Sequence, residues 1–283
     1  MRFVLLFILI LTSTLSFATD PIPPTRKLNM TIYEAINKAG YQRMLTQRIA
    51  KSYVAVVCGI DKDKYKEHLK GSAKIFESNL KELEAFSPNE AIRTQLRYVE
   101  ILWQNYKFIY SDDYNKEGAL TIVQFNDKIL KACNDAVSLL EEYAIEHKSN
   151  KDQEVRVRDS DLSSIINISG RQRMLTQRIL FLSLTKTYGI GDVNTQNQKL
   201  ESAVRTFKES FKRLMSYSKN TAQIDTELLA ISKYWSNMET NLNVILTSEN
   251  NTVQFNDLLA KVMKTGEQIL FSFDEVVFLY ERE

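Results

Sequence analysis

Apolar residues recur along the chain at the three- and four-residue spacing of amphipathic α-helices. The chain has 283 residues but only 8 glycines and 4 prolines, which favours long helices over strands. The apolar spacing predicts eight helices, at about 29–58, 62–86, 89–110, 120–147, 160–188, 194–218, 221–247 and 251–281. Four long helices with short connections are typical of an antiparallel bundle. We therefore predict an all-α chain of two tandem four-helix bundles, at 29–147 and 160–283.

One segment of the chain occurs twice. Residues 42–49 read QRMLTQRI and recur letter for letter at 172–179, an offset of 130. The segment VQFND occurs at 123–127 and at 253–257 with the same offset. Cores tolerate volume-conserving swaps, so packing alone rarely demands eight identical residues in a row. The sequence is therefore a doubled module whose repeated first-helix segment meets a chemical requirement. For VQFND we expect only packing and capping at the start of the fourth helix.

The two bundles have two plausible arrangements. Four antiparallel helices return the chain to the end at which it entered, so the second bundle can lie beside the first as a pseudo-dimer. Alternatively, residues 148–160 contain neither glycine nor proline, so the fourth and fifth helices could fuse into one rod that sets the bundles end to end. We favour the side-by-side arrangement, in which the two first helices run parallel and bring the repeated segments together.

Two arginines fall inside the apolar stripe of their helices. At about 100° per residue, Arg43 lies in the middle of the first helix's stripe, and Arg173 takes the same place in the fifth helix. A buried, isolated charge costs several kcal/mol, and no carboxylate lies within one helical turn of either arginine. Each must therefore pair with an acid on another helix, reach solvent, or bind an anion, and the repetition favours the anion. Helical glycine costs roughly 1 kcal/mol relative to alanine, so Gly40 and Gly170 indicate close backbone approach.

The similarity extends to residues 36–49 and 166–179, and the other residues of these two segments divide into three groups. Asn37, Asn167, Gln47 and Gln177 are candidate ligand-binding residues beside the arginines. Two further arginines point to the polar side of the helix and are expected to be solvated or salt-bridged: Arg48 and Arg178. The methionines are expected in the core: Met44 and Met174.

Composition argues against several classes of function. A net charge of +2 is too small for a nucleic-acid binder that works through a broad basic face. The histidines, His68 and His147, lie on polar faces and are expected to be solvated. No metal-ligand spacing, nucleophile motif or phosphate-binding loop is present, so we predict no enzyme, no metal and no cofactor. Cys58 and Cys133 would lie roughly 18 Å apart along antiparallel helices, which predicts two free, buried thiols.

The first 18 residues have the pattern of a secretory signal peptide. Arg2 precedes an apolar run at 3–11, and Ser16 and Ala18 are the small residues of a cleavage site. The run is shorter than the ~20 residues of a spanning helix, so we favour cleavage over an uncleaved membrane anchor. No later stretch is apolar enough to span a membrane, and we expect a soluble periplasmic protein.

The first-helix segment resembles a known sensor motif. AINKAG at 35–40, followed by Arg43 and Arg48, is similar to the P-box of the periplasmic domain of NarX-type nitrate/nitrite sensor kinases. GRQRMLTQR at 170–178 resembles the related PilJ-type N-terminal domain of type IV pili methyl-accepting chemotaxis transducers. The resemblance implies a four-helix bundle, with nitrate held between two first helices by one motif arginine from each. It implies Arg43 and Arg173 as anion ligands. The present chain departs from the family pattern by carrying both half-sites in one polypeptide.

These observations lead to one main functional hypothesis and one alternative. The main hypothesis is a periplasmic protein that binds nitrate, nitrite or a similar small anion between its bundles and signals to a membrane sensor histidine kinase or chemoreceptor. The alternative is a helical structural or adaptor protein of a periplasmic or pilus-associated complex, whose arginines pair internally. In the main hypothesis the two-arginine site could form within one chain or between the chains of a homo-oligomer. The candidate ligand-binding residues are Asn37, Gly40, Arg43, Gln47, Asn167, Gly170, Arg173 and Gln177.

Overall fold

The computed structural model describes residues 30–111, 113–147, 153–247 and 253–283. The described residues contain eight α-helices and no strand. The helices are α1 Ile32–Val57, α2 Lys62–Phe86, α3 Glu90–Trp103, α4 Lys116–Glu146, α5 Gln153–Thr187, α6 Val193–Met215, α7 Ala222–Thr247 and α8 Val253–Glu281. A 3₁₀ helix, Gln104–Tyr110, continues α3. The all-α prediction is confirmed. The leader at 1–18 lies outside the described residues, and the bundle limits of 29–147 and 160–283 stay predictions.

Capping residues set the beginnings of several helices. At the start of α1, Thr31 accepts a hydrogen bond from the Glu34 backbone and Glu34 accepts one from the Thr31 backbone, which is a capping box. Asn115 caps α4 by accepting from the Gly118 backbone at 2.9 Å. Because of this cap, α4 begins at Lys116, earlier than the predicted 120. Helix α5 likewise begins at Gln153 rather than near 160.

Helices α1 and α5 form the centre of the molecule. Helix α1 packs against α2, α4 and α5, while α5 packs against α1, α6 and α8. Residues at matching heights meet across the α1–α5 pair: Arg43 lies near Gly170, and further along both helices Gln47 accepts a hydrogen bond from Arg178. The two helices therefore run parallel. The side-by-side pseudo-dimer is confirmed, and the end-to-end rod was the wrong alternative.

The last helices of the two bundles are related by a different offset from the first helices. Residues 131–140 of α4 and 271–280 of α8 show the same succession of buried and exposed positions, which is an offset of 140. Asp127 therefore corresponds to Glu267, and Asn134 corresponds to Asp274. VQFND opens α8 but lies about two turns inside α4, so the two copies of this segment occupy different places in their bundles.

The remaining predictions for core residues are largely confirmed. Met44 and Met174 are buried. Both cysteines are free, but Cys58 is only partly buried whereas Cys133 is fully inside. Within the described ranges, no helix is both long and apolar enough to cross a membrane.

Candidate functional site

Arg43 of α1 and Arg173 of α5 meet at the centre of the parallel helix pair. A Cβ atom added to Gly170 would lie 3.4 Å from Arg173 Nη2 and 3.7 Å from Arg43 Nη2, so both guanidinium groups reach the same small space. The two side chains are almost fully buried, at 1% and 4% exposed. Two like charges this close repel each other more strongly in a buried site than in water. The predicted meeting of the two arginines is therefore observed.

Glycine leaves room for these guanidinium groups on the helix backbone. A Cβ at Gly40 would lie 3.1 Å from Arg43 Nη2, tighter than an ordinary van der Waals contact. In contrast, a Cβ at Gly71 in α2 would meet nothing within 4 Å. Arg43 folds back along its own helix, and its Nε donates to the Gly40 carbonyl at 3.5 Å. The close approach at the motif glycines thus involves a side chain against backbone.

Asparagines hold the two arginines crosswise between the bundles. Arg43 Nη2 donates to Asn167 Oδ1 of the second bundle at 2.7 Å. Arg173 Nη2 donates to Asn37 Oδ1 of the first bundle at 2.6 Å. Each guanidinium is thus oriented by the other bundle, and the two asparagines position the arginines.

The remaining partners of the two arginines differ in charge. Arg173 Nη1 forms an ion pair with Asp274 Oδ1 at 3.0 Å, and its guanidinium lies 5.1 Å from the ring centre of Tyr41. Arg43 Nη1 instead donates to the neutral Asn134 Oδ1 at 3.3 Å. Among the described residues, Arg43 has no carboxylate oxygen within 4.0 Å. Of the three states considered for a buried arginine, Arg173 therefore shows the pair with an acid on another helix, against the favoured anion. The equivalent position on the last helix is Asn134 in one bundle and Asp274 in the other.

The surroundings of Arg43 disfavour its positive charge. Burial, together with the nearby charges of Arg171 and Arg173, lowers the pKa of Arg43 to about 9, although Glu141 opposes this effect. The group stays charged at neutral pH. A negative group that reaches this buried cation stabilises its charged form.

Arg43 opens onto a cleft with a volume of about 400 Å³. Its other polar lining residues are Asn134, Ser138, Glu141, Asn167, Arg171 and Thr206. Both bundles contribute, because α4 supplies Asn134 and Glu141 while α5 supplies Asn167 and Arg171. Sequence reasoning missed Arg171, although it lies inside the second motif. The first copy has Tyr41 at that position, so the search for identical residues passed over it.

A second cleft lies at the pseudo-symmetric place beside Arg173. It has a volume of about 590 Å³ and is lined by Asn37, Tyr41 and Glu281, the counterparts of Asn167, Arg171 and Glu141. Its other charged lining residues are Glu34, Lys38 and Glu82. Arg173 is not among the residues that line this cleft, whereas Arg43 lines the first. The two clefts therefore share a framework and differ in electrostatics.

Gln47 belongs to an ion cluster further along the helices, which we name the Asp127 cluster. Arg178 Nη2 and Lys199 Nζ each pair with Asp127 at 2.7 Å, and Arg178 also donates to Gln47 Oε1 at 3.4 Å. Gln47 therefore does not face the arginine pair. The prediction that VQFND only packs and caps was wrong, because its Asp127 joins the first bundle to Arg178 of the second.

Gln177 belongs to the equivalent cluster on the other side, the Glu267 cluster. Glu267 of α8 pairs with Arg48 at 3.5 Å and with Lys51, and accepts a hydrogen bond from Gln177 Nε2 at 3.4 Å. Lys51 is fully buried, and burial lowers its pKa to about 8. Burial alone would raise the pKa of Glu267, but Lys51 and Arg48 outweigh this effect and lower it to about 2. Arg48 and Arg178 are both salt-bridged, one of the two states expected for them.

His68 of α2 is a further titratable neighbour of the Glu267 cluster. The Phe76 carbonyl accepts a hydrogen bond from Gln42, and the Phe207 carbonyl accepts the equivalent bond from Gln172. Residues of α2 and α6 are therefore related by an offset of 131, and Lys199 is the counterpart of His68. Burial and the charges of Arg48 and Lys51 lower the pKa of His68 to about 4. The expectation of a solvated histidine was wrong for His68. His147 is exposed and stacks on Tyr143.

The part of the chain that the structure describes contains no cluster of metal-binding side chains. No group of three or more histidine, cysteine, aspartate or glutamate residues there could hold a metal ion.

The comparisons with known proteins agree with the two-bundle architecture. Neither the curated proteins nor the solved structures yield a match. The family model described as type IV pili methyl-accepting chemotaxis transducer N-term, PilJ, matches residues 33–108 and 158–260. One segment falls on each bundle and includes its motif arginine, and together they span more than half of the chain. The protein therefore belongs to the PilJ family and carries two tandem copies of its domain.

Proposed function

We propose that this protein is a periplasmic sensory protein that binds a small oxyanion in the Arg43 cleft and acts by binding rather than catalysis. One observation carries the proposal: Arg43 is 1% exposed, has no carboxylate partner among the described residues, and lines a cleft of about 400 Å³. A buried, charged guanidinium beside an open cleft supplies an anion site in which the guest provides the missing countercharge.

The geometry of the guanidinium group favours planar oxyanions. Its donors form a flat fork that matches nitrate, nitrite or a carboxylate, whereas a spherical halide uses fewer of them. Arg171 lines the same cleft and adds a second positive charge. Nitrate and nitrite are the first candidates because of the resemblance to the P-box, and a carboxylate offers the same chemistry.

Binding of an anion has a direct route to a change between the bundles. Arg43 and Asn134 belong to the first bundle, while Asn167 and Arg171 belong to the second. An anion shared by these groups relieves the repulsion among Arg43, Arg171 and Arg173, and it does so best when the bundles are close. This differential interaction can shift a conformational equilibrium. We propose that a membrane chemoreceptor or sensor histidine kinase of a type IV pili transducer system reads the resulting state.

Isothermal titration calorimetry with nitrate, nitrite, acetate, sulfate and chloride tests the proposal. We expect at least one planar oxyanion to bind more tightly than chloride. The Arg43→Gln variant should weaken that binding about 100-fold, since lost charge-assisted hydrogen bonds are worth ~2.7 kcal/mol. The matched control is Arg173→Gln, which should change the affinity less because Asp274 already occupies that guanidinium.

Circular dichroism should show that both variants keep their helical content. The proposal fails if the wild-type protein binds none of these anions, or if Arg43→Gln binds them as tightly as the wild type.

The adaptor alternative has one observation in its favour, the Arg173–Asp274 ion pair at 3.0 Å. This pair lies within one bundle, as an internally satisfied structural arginine would. Arg43 has no such pair among the described residues, so the alternative accounts for one half of the molecule only. An absence of ligand binding in the calorimetric panel would favour it.

A further inference from the structure

The Arg43 cleft carries a negative group as well as positive ones. Glu141 of α4 lines the same cleft as Arg43 and Arg171, and it interacts electrostatically with both. No ion pair within 4.0 Å joins Glu141 to either arginine in the described part of the chain. Glu141 Oε2 instead accepts a hydrogen bond from Asn167 Nδ2 at 2.9 Å. Opposite charges thus stand on the cleft walls with space between them.

The volume of the cleft exceeds what a simple inorganic anion needs. A water molecule takes up about 30 Å³ of liquid, so a cleft of about 400 Å³ has room for a small organic molecule. Pockets for such ligands typically start at about 300 Å³. A nitrate ion bound at Arg43 would leave most of the cleft unfilled.

The remaining wall of the cleft is apolar. Val137, Met174 and Leu175 line it beside the charged groups. Methionine adapts to ligands of different shapes because its side chain is unbranched and polarisable. This wall is suited to an aliphatic side chain.

We infer that the anion recognised in this cleft is the carboxylate of a small zwitterion of the α-amino-acid class. The carboxylate binds Arg43 and Arg171, the ammonium group binds Glu141, and the side chain packs against Met174 and Leu175. This inference rests on the proposed function and specifies its ligand. Each charged end of such a molecule finds the opposite charge, which a bare anion or a bare amine cannot do.

A comparison with the second cleft shows which residues make the first cleft suited to a zwitterion. Glu281 is the counterpart of Glu141, but Tyr41 replaces Arg171 and Asp274 already pairs with Arg173. The second cleft therefore keeps the acidic end, but its cations are already paired, Arg173 with Asp274 and Lys38 with Glu82. Two features therefore set the first cleft apart: Arg171, and an Arg43 that has Asn134 beside it where Arg173 has Asp274.

Calorimetry with three matched probes tests the inference: L-leucine, 4-methylpentanoate, which lacks the amine, and isopentylamine, which lacks the carboxylate. We expect L-leucine to bind at least ~10-fold more tightly than 4-methylpentanoate, because a charge-assisted hydrogen bond to the ammonium group provides about this gain in affinity. Isopentylamine should bind least tightly of the three. Glu141→Gln should remove the preference for L-leucine, because it lowers the affinity for L-leucine relative to that for 4-methylpentanoate. Arg171→Gln should weaken both carboxylates.

Control variants separate this inference from the proposed function. Glu281→Gln, in the other cleft, should bind all three probes as the wild type does. Glu141→Asp keeps the charge and should keep part of the preference, which provides a second measurement if Glu141→Gln folds poorly. The inference is overturned if L-leucine binds no more tightly than 4-methylpentanoate while oxyanions still bind. If neither L-leucine nor any anion binds, the proposed function fails with it.

Discussion

The two halves of the molecule hold the same arginine at the same place, but only one half leaves its charge available. Arg43 has the neutral Asn134 beside it, whereas Arg173 has Asp274 at the equivalent position. In the function proposed above, an external anion supplies the countercharge in the first half, whereas Asp274 supplies it in the second. Pseudo-symmetry of the backbone therefore does not impose symmetry of charge. We expect one ligand site per chain, because a single change on the last helix decides whether a half-site is occupied internally.

The two ion clusters show the same kind of divergence. Both join the bundles through an arginine and an acid, but the Glu267 cluster also contains the fully buried Lys51, at a position where the second bundle has Phe181. The Asp127 cluster has the more exposed Lys199 instead. Glu267 is accordingly the more buried acid, with 21% of its side chain exposed against 46% for Asp127. The stability of the protein should therefore depend more strongly on Glu267 than on Asp127.

The largest expected effect follows from removing that acid. Glu267→Gln removes the carboxylate that favours the charged form of the buried Lys51 amine. The amine must then either stay charged and unpaired or give up its proton, which should lower the free energy of unfolding by about 3–5 kcal/mol. The equivalent Asp127→Asn leaves cations that reach solvent and should cost only ~1 kcal/mol. Urea unfolding at pH 7 measures both.

A double variant checks the cause of this loss. Adding Lys51→Leu to Glu267→Gln removes the buried amine and should restore most of the lost stability. Equal losses in Glu267→Gln and Asp127→Asn would contradict the difference between the clusters.

A smaller effect is expected from making the second half resemble the first. Asp274→Asn removes the carboxylate that occupies Arg173, so its guanidinium becomes available to an oxyanion. Calorimetry should then show two sites per chain, and the new site should be about tenfold weaker, or ~1.4 kcal/mol, because Tyr41 replaces Arg171. A stoichiometry that stays at one would show that Asp274 is not what blocks the second site. The reciprocal variant Asn134→Asp should abolish binding in the first half.

The smallest expected effect concerns the pH dependence of the Glu267 cluster. The pKa of His68 is lowered from its ordinary value of 6.5 to about 4, so between these values the unfolded chain binds a proton that the folded chain excludes. Stability must therefore fall as the pH drops from 6.5 towards 4. His68→Gln should make this decline shallower, as measured by urea midpoints at several pH values. Lys199→Gln, in the other cluster, should leave the slope in this range unchanged.

Much of the fold and the location of the arginine pair could be predicted from the sequence. Apolar spacing predicted eight helices, and the return of an up-down bundle to its starting end predicted that Arg43 and Arg173 meet. These inferences rest on local periodicity and chain geometry. The identity of side-chain partners on other helices depends on the rotation and register of each helix, which periodicity determines less well.

The failures come from this second category. Asp274 escaped notice because the last helices are related by an offset of 140 while the first helices are related by 130. The same difference made Asp127 appear as part of a packing motif. Identity between the repeats revealed Arg43. It could not reveal Arg171, because the first copy of the segment has Tyr41 at that position.

The crosswise asparagine bonds have a consequence for how the protein senses concentration. Asn167 of one bundle orients Arg43 of the other, so neither half-site is complete within one bundle. If the bundles were separate molecules, they would dissociate on dilution and the site would be lost. The response would then depend on how much protein the cell makes. Linked in one polypeptide, they meet at an effective concentration fixed by the chain itself. Under the proposed function, the response would then follow the amount of ligand rather than the amount of protein.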